Sequence, residues 1–300
     1  MLGLRIKLPV TFTDTSLPTI SEDKILTKGS LLLTDAAHRI MPWKSGVLTN
    51  GELLPNIASD FASELTSGEL EPQYYIKGKM PGFIERTSKG GLHVAPEAGK
   101  NIRYVGAAVS VPKAIVDYIC NNPTHNFYYS QWGRITRAAG SPAAWYTYMQ
   151  IHRSFDNAVF PNGGAMSIGH TESFTTPLAA NRTGYETTNL NNVGARLVSI
   201  AGKSSAMHAS GVAGMKPEDY VDEQFRAVAL MGAYDEQAAY YSYSLKHTLP
   251  AWIFYRAYIE DLTVSGRTWD EVNAIDKAMY EKEVMSVGGR YFGDTFTAPA

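Results

Sequence analysis

The chain has 300 residues, 44% of them hydrophobic and 19% charged, with 27 basic against 29 acidic residues and a formal net charge of −2. A chain of this length and composition can bury a sizeable core, which excludes disorder as the default. Neither half is strongly basic, so nothing suggests an electrostatic grip on nucleic acid or on an anionic membrane.

The first residues, Met1-Leu2-Gly3-Leu4-Arg5-Ile6-Lys7, lack the apolar run and small-residue cleavage site of a signal peptide. No stretch approaches the roughly 18 apolar residues of a transmembrane helix, and the chain is expected to fold in a cytoplasm. Residues 1–50 are rich in Thr, Ser, Pro and Leu without helical period, and read as an arm or as edge strands punctuated by Pro9, Pro18 and Pro42. A helix is expected at about 54–67, where Ile57, Ala58, Phe61 and Leu65 recur at helical spacing and Pro55 can take the first turn. The reading is thus an N-terminal extension over 1–70 and a β domain over 71–300.

From about residue 72 the pattern turns to short strands separated by Gly, Pro and Asn. Residues 127–135, 144–152 and 195–200 are strand-like, and in 144–152 Trp145, Thr147, Met149 and Ile151 alternate with Tyr146, Tyr148, Gln150 and His152. The single cysteine, Cys120, lies in the apolar stretch 114–120 and reads as a small buried hydrophobe; being alone, it excludes an internal disulfide framework. A helix is expected from Pro217, with Tyr220, Val221 and Phe225 on one side. The clearest helix spans 268–283. Thr268 and Glu271 form a capping-box pair, followed by the stripe Val272, Ile275 and Met279. With Trp269, that stripe is expected to dock over a sheet edge.

The C-terminal part runs as an apolar strand ending in glycine (228–232), a variable loop, then the strand Trp252 to Leu262 carrying Tyr255-Arg256-Ala257-Tyr258. The turn Leu262-Thr263-Val264-Ser265 and the capped helix follow. This order resembles the closing segment of concanavalin-like, laminin-G-type jelly rolls. The whole chain is similar to proteins encoded among the virion genes of tailed bacteriophages, with 54–58 and 85–93 contributing. The resemblance implies a mainly β protein, a concanavalin-like jelly-roll β-sandwich with an irregular N-terminal arm and a few short helices.

Chemical motifs are weaker. Gly202-Lys203-Ser204 looks like the end of a phosphate loop, but the glycine needed five residues earlier is Leu197. Ala165-Met166-Ser167-Ile168-Gly169 approximates a nucleophile elbow beside His170, yet Ala165 stands where glycine is usual, and a Gly-rich loop between strands accounts for it. The seven histidines are scattered, with no zinc-helix spacing. Calcium is the metal left open, with Asp156, Asp235 and Glu236 as donors. Glu260 and Asp261 are adjacent on a strand, so they fall on opposite faces and cannot act as a glycosidase pair. Adjacent tyrosines in the run Tyr240, Tyr241, Ser242, Tyr243 cannot both point inward if extended, which nominates Tyr240, Tyr241 and Tyr243 as a glycan platform.

No catalytic constellation stands out, so the chain is expected to be a non-enzymatic structural component of a phage virion: tail, baseplate or fibre. The expected partners are copies of itself and other virion proteins, without nucleic acid or membrane insertion and with no cofactor beyond the open calcium question. A glycan-binding module for host surface polysaccharide is the alternative reading, and a polysaccharide-degrading enzyme the third.

Overall fold

The computed structural model describes residues 23–99, 105–138, 146–152, 164–170, 192–203, 216–233 and 249–299. Twelve strands lie among them: β1 (Ser30–Asp35), β2 (Glu52–Leu53), β3 (Gln73–Lys77), β4 (Gly82–Arg86), β5 (Leu92–Pro96), β6 (Val105–Ser110), β7 (Asn126–Arg137), β8 (Tyr146–His152), β9 (Gly164–His170), β10 (Gly194–Lys203), β11 (Arg226–Ala233) and β12 (Ala251–Asp261). The helices are α1 (Ser59–Leu65), α2 (Lys113–Asn121), the single turn α3 (Leu262–Ser265) and α4 (Trp269–Tyr280). The protein is mainly β, with antiparallel sheets and few short helices.

One sheet runs β10-β7-β12-β5-β4, with β1 also pairing with β12; the other runs β2-β3-β6-β11-β8-β9. The pairings nest. β5 pairs with β12, β6 with β11, β7 with β10 and β8 with β9, all antiparallel. Inward residues of both sheets share one apolar core. Leu92, Phe127, Tyr129, Trp252 and Phe254 come from the first sheet, and Tyr74, Val109, Met149, Ile151 and Met231 from the second.

Residues 30–35, read from the sequence within the N-terminal extension, form β1 and pair with β12, and Leu31, Leu32 and Leu33 are wholly buried. The one helix expected in that extension starts later than Pro55, at Ser59. The reason is Asn56. Its buried side chain accepts from the amides of Leu33 and Ala58 and donates to the carbonyls of Leu31 and Leu70, which fixes a turn there instead of a helix.

Other expectations are corrected. The segment from Pro217 makes two 3-10 turns, Pro217–Tyr220 and Glu223–Phe225, rather than one helix. Tyr220 is buried while Val221 is exposed, so they do not share a face. Residues 165–169 are not a loop but lie inside β9. Gly202 and Lys203 close β10, in line with the argument from Leu197 against a phosphate loop. In β8 a register shift between Thr147 and Met149 makes Tyr148 the extra residue. Tyr148 is therefore buried beside Met149 and Ile151 in the same core, against the alternation expected.

Helix α4 is as the sequence predicts at its start. Thr268 Oγ1 accepts from the Glu271 amide at 3.3 Å, and Glu271 Oε2 accepts from the Thr268 amide at 2.8 Å. It ends at Tyr280 and continues as a π-helical turn, Glu281–Met285. The helix docks not on backbone at a sheet edge but on the outer face of the first sheet, over β7 and β10. There Asn273 Oδ1 accepts from Ser199 Oγ at 2.6 Å, and Val272 packs with Tyr128, Ala201 and Tyr258.

Candidate functional site

Functional groups converge on the outer face of the first sheet, along β12. This strand reads Ala-Trp-Ile-Phe-Tyr-Arg-Ala-Tyr-Ile-Glu-Asp, and all eleven residues are buried. A register shift between Phe254 and Arg256 breaks the alternation. Trp252, Phe254, Ala257 and Ile259 face the shared core, while Tyr255, Arg256, Tyr258 and Glu260 face outward under α4 and the two terminal segments. An arginine with no exposed surface needs counter-charges brought to it, because an unpaired buried ion is far more costly than a buried pair.

They come from the N-terminal side. Arg256 Nη1 lies 2.8 Å from Asp23 Oδ2 and Nη2 3.3 Å from Asp23 Oδ1, a forked pair; Nη1 also lies 3.3 Å from Asp35 Oδ2. Burial alone would lower the guanidinium pKa, but Asp23 and Asp35 outweigh it and hold it above its ordinary value. Burial likewise opposes ionisation of Asp23, and Arg256 more than compensates, holding that carboxyl below its usual range. The guanidinium stands 4.5 Å over the Trp132 ring. Trp132 Nε1 in turn donates to Asp276 of α4 at 2.9 Å, and Tyr128 OH donates to the same carboxyl at 3.1 Å. Burial pushes the Asp276 carboxyl up against the opposing pull of Arg256. Arg256 Nε is buried without a hydrogen-bond partner.

The C-terminal segment completes the network. Asp35 accepts from Tyr291 OH at 2.6 Å and pairs with Arg290 Nη2 at 3.0 Å, and Arg290 Nε donates to Glu283 at 3.1 Å. Asp294 accepts from Tyr255 OH at 3.0 Å and from Ser88 Oγ and the Lys89 amide. His38 Nδ1 accepts from the Met41 amide at 3.2 Å, so in the neutral ring the proton sits on Nε2, 3.9 Å from Asp23. Burial lowers the pKa of this imidazole.

Two further polar groups could carry chemistry. At the rim, the wholly buried Asp261 caps α3 through the amides of Thr263 and Val264. It also accepts from Tyr118 OH at 2.8 Å and lies 2.6 Å from His125 Nδ1. Glu260 engages Arg267 and Tyr258 instead, so the two adjacent acids serve separate clusters, as their strand positions dictate. Carboxylate-held His125 is about a quarter exposed, an oriented imidazole that solvent reaches. Between the sheets a small opening of about 260 Å³, counting open solvent, is lined by Gln131, Gly133, Tyr148, Arg196, Val198 and Trp252. The enclosed part of it is a cavity of about 20 Å³, room for about one water and none for a small molecule.

The nominated platform Tyr240, Tyr241 and Tyr243 and the calcium donors Asp156, Asp235 and Glu236 lie outside the described residues. Tyr128 and Tyr148 are buried and cannot offer a ring face to a sugar. Among the described residues no group of three or more His, Cys, Asp or Glu is placed to hold a metal ion. None of their helices is long and apolar enough to cross a membrane. Sequence reasoning did not find Asp23, Asp35, Asp276, Tyr291 or Asp294. The available signal was Arg256 itself, the lone cation of β12 and set among aromatic and aliphatic residues. No protein-family model matches the chain, and no curated protein matches it.

Proposed function

We propose that this chain is a jelly-roll protein of concanavalin-like type that acts without catalysis, as a structural component of a tailed-phage virion assembled through protein–protein contacts. The nested pairing of β5 through β12 supports the fold: four concentric antiparallel pairs divided between two sheets are what a rolled hairpin produces. One observation carries the structural role. The charged groups of the outer face (Asp23, Asp35, Arg256, Arg290 and Asp276) are spent on one another across three chain segments, and the side chains of Asp23, Asp35, Arg256 and Asp276 have almost no contact with solvent. Such an arrangement braces a fold and leaves little to reach a substrate. The jelly-roll type rests on the resemblance of residues 227–284 to the closing segment of such folds, and the virion setting on the similarity of the whole chain, with 54–58 and 85–93 contributing, to proteins encoded among tailed-phage virion genes.

The test is the assembly state of the purified chain, followed by sedimentation over a wide concentration range and by electron microscopy. A defined symmetric oligomer is expected. A monomer at every concentration would sink the assembly role.

A further inference from the structure

Beyond the bracing network lies a second buried polar group. His93 on β5 has no exposed surface, and it points outward from the first sheet, since Leu92 and Val94 on either side face the shared core. Its cover is the end of the chain. The ring of Phe296 stands edge-on at 5.2 Å, and Phe83 of β4 does so at 5.4 Å. Its Nδ1 lies 2.9 Å from Glu85 Oε1, and its Nε2 lies 2.9 Å from Thr136 Oγ1. Glu85 is shared. The same Oε1 accepts from the Thr297 amide at 2.8 Å, and Oε2 accepts from Thr297 Oγ1 at 2.8 Å. Just before it, Thr295 is tied to Ser88, its amide donating to Ser88 Oγ and its carbonyl accepting from the Ser88 amide.

We propose that residues 295–299 form an acid-released strap over the outer face of the first sheet, with His93 as its trigger. The chemistry follows from hydrogen count. With Glu85 ionised, Nδ1 must carry the proton, so neutral His93 uses Nε2 to accept from Thr136 and every polar atom of the ring is satisfied. A second proton must go on Nε2. The Thr136 hydroxyl then has to turn away, and a full charge sits in a dry site beneath Phe296. The charged groups facing the ring are Glu85 on β4, Arg137 on β7 and Asp294 in the C-terminal segment. Burial is the largest influence and lowers the imidazole pKa, with Arg137 adding to it and Glu85 and Asp294 opposing. Protonation is therefore easier with the strap lifted and the ring in water.

The sign is that of a folded-state pKa below the unfolded 6.5. Closure by His93 is complete above 6.5 and is lost as pH falls through the folded value. Burial of Glu85 is outweighed by its bonds from His93 and Thr297, which hold it below its ordinary 4.5, so it stays ionised above pH 4.5. Release uncovers an imidazolium beside the Phe83 ring.

The full chain tests this by NMR. The His93 ring is titrated, and amide exchange at Thr297, corrected for its intrinsic pH dependence, is followed over the same series. The Thr297 amide should lose at least tenfold of its protection with a midpoint that coincides with the His93 titration. In His93→Gln, which cannot charge, that loss should vanish above pH 4.5. Protection that stays flat through the His93 titration overturns the strap, as does an unchanged pH profile in His93→Gln. Should that variant fail to fold, the coincidence of midpoints in the unaltered chain decides alone.

Discussion

At Arg256 the protein places a guanidinium with five N–H donors where water cannot reach, between Asp23, Asp35 and the face of Trp132. The asymmetry of buried ion pairs sets the consequence of removing it. A well-packed apolar substitute for the whole group can be neutral, whereas deleting one partner strands the others. Arg256→Met leaves two buried carboxylates facing an apolar side chain. It should cost about 3–5 kcal/mol, read as a lower urea midpoint at unchanged slope. Arg256→Lys keeps the charge but not the fork or the stacking on Trp132, and should recover only part of that loss. Equal stability in all three proteins would mean that the N-terminal contacts of Asp23 do not persist in solution.

Elements defined by local signals were legible in the sequence. The Thr268–Glu271 pair announced α4, and the aromatic and β-branched runs announced β7, β10, β11 and β12, because caps and period-2 alternation act over a few residues. Helix α2 was missed. Ile115, Val116, Ile119 and Cys120 have helical spacing, but three are β-branched and favour strands when judged singly. The bulges at Tyr148 and Tyr255 were also invisible, since a bulge is specified by the partner strand. What remained illegible about the site was its partnership: Asp23 and Arg256 are joined by the fold alone. The nominated tyrosines and acids lie outside the described residues, so the reading of them stands where the sequence left it. A strand-level test comes from Gly106 of β6, at φ 156°, where an added Cβ would fall 2.0 Å from the Met231 carbonyl oxygen of β11. Gly106→Ala should cost about 1–3 kcal/mol and lower the melting temperature; an unchanged melt would mean that the β6–β11 register differs from the one described.

For the molecule as a whole, the pairing of β1 with β12 joins chain segments more than two hundred residues apart. Leu31, Leu32 and Leu33 are fully buried in two core clusters, so β1 is part of the sheet and not a detachable arm. Truncation should divide sharply. Removing residues 1–22 leaves Asp23 and all described contacts, and the chain should still melt cooperatively. Removing residues 1–35 also deletes β1, and losses of about 2–5 kcal/mol for each of its three buried leucines are as large as the roughly 5–15 kcal/mol available to a domain, so the cooperative melt should be lost. A cooperative melt in the shorter chain would show that β12 can do without its neighbour.

The position of β12 bears on how the chain is made. It pairs with β1, β5 and β7, yet it follows each of them by more than a hundred residues. During synthesis β5 and β7 emerge long before the strand that will separate them, and their ladder edges wait with nothing to bond. Completion of the first sheet is therefore gated by arrival of residues 251–261. Until then, the growing polypeptide carries sticky edges of the kind that recruit chaperones or another nascent copy.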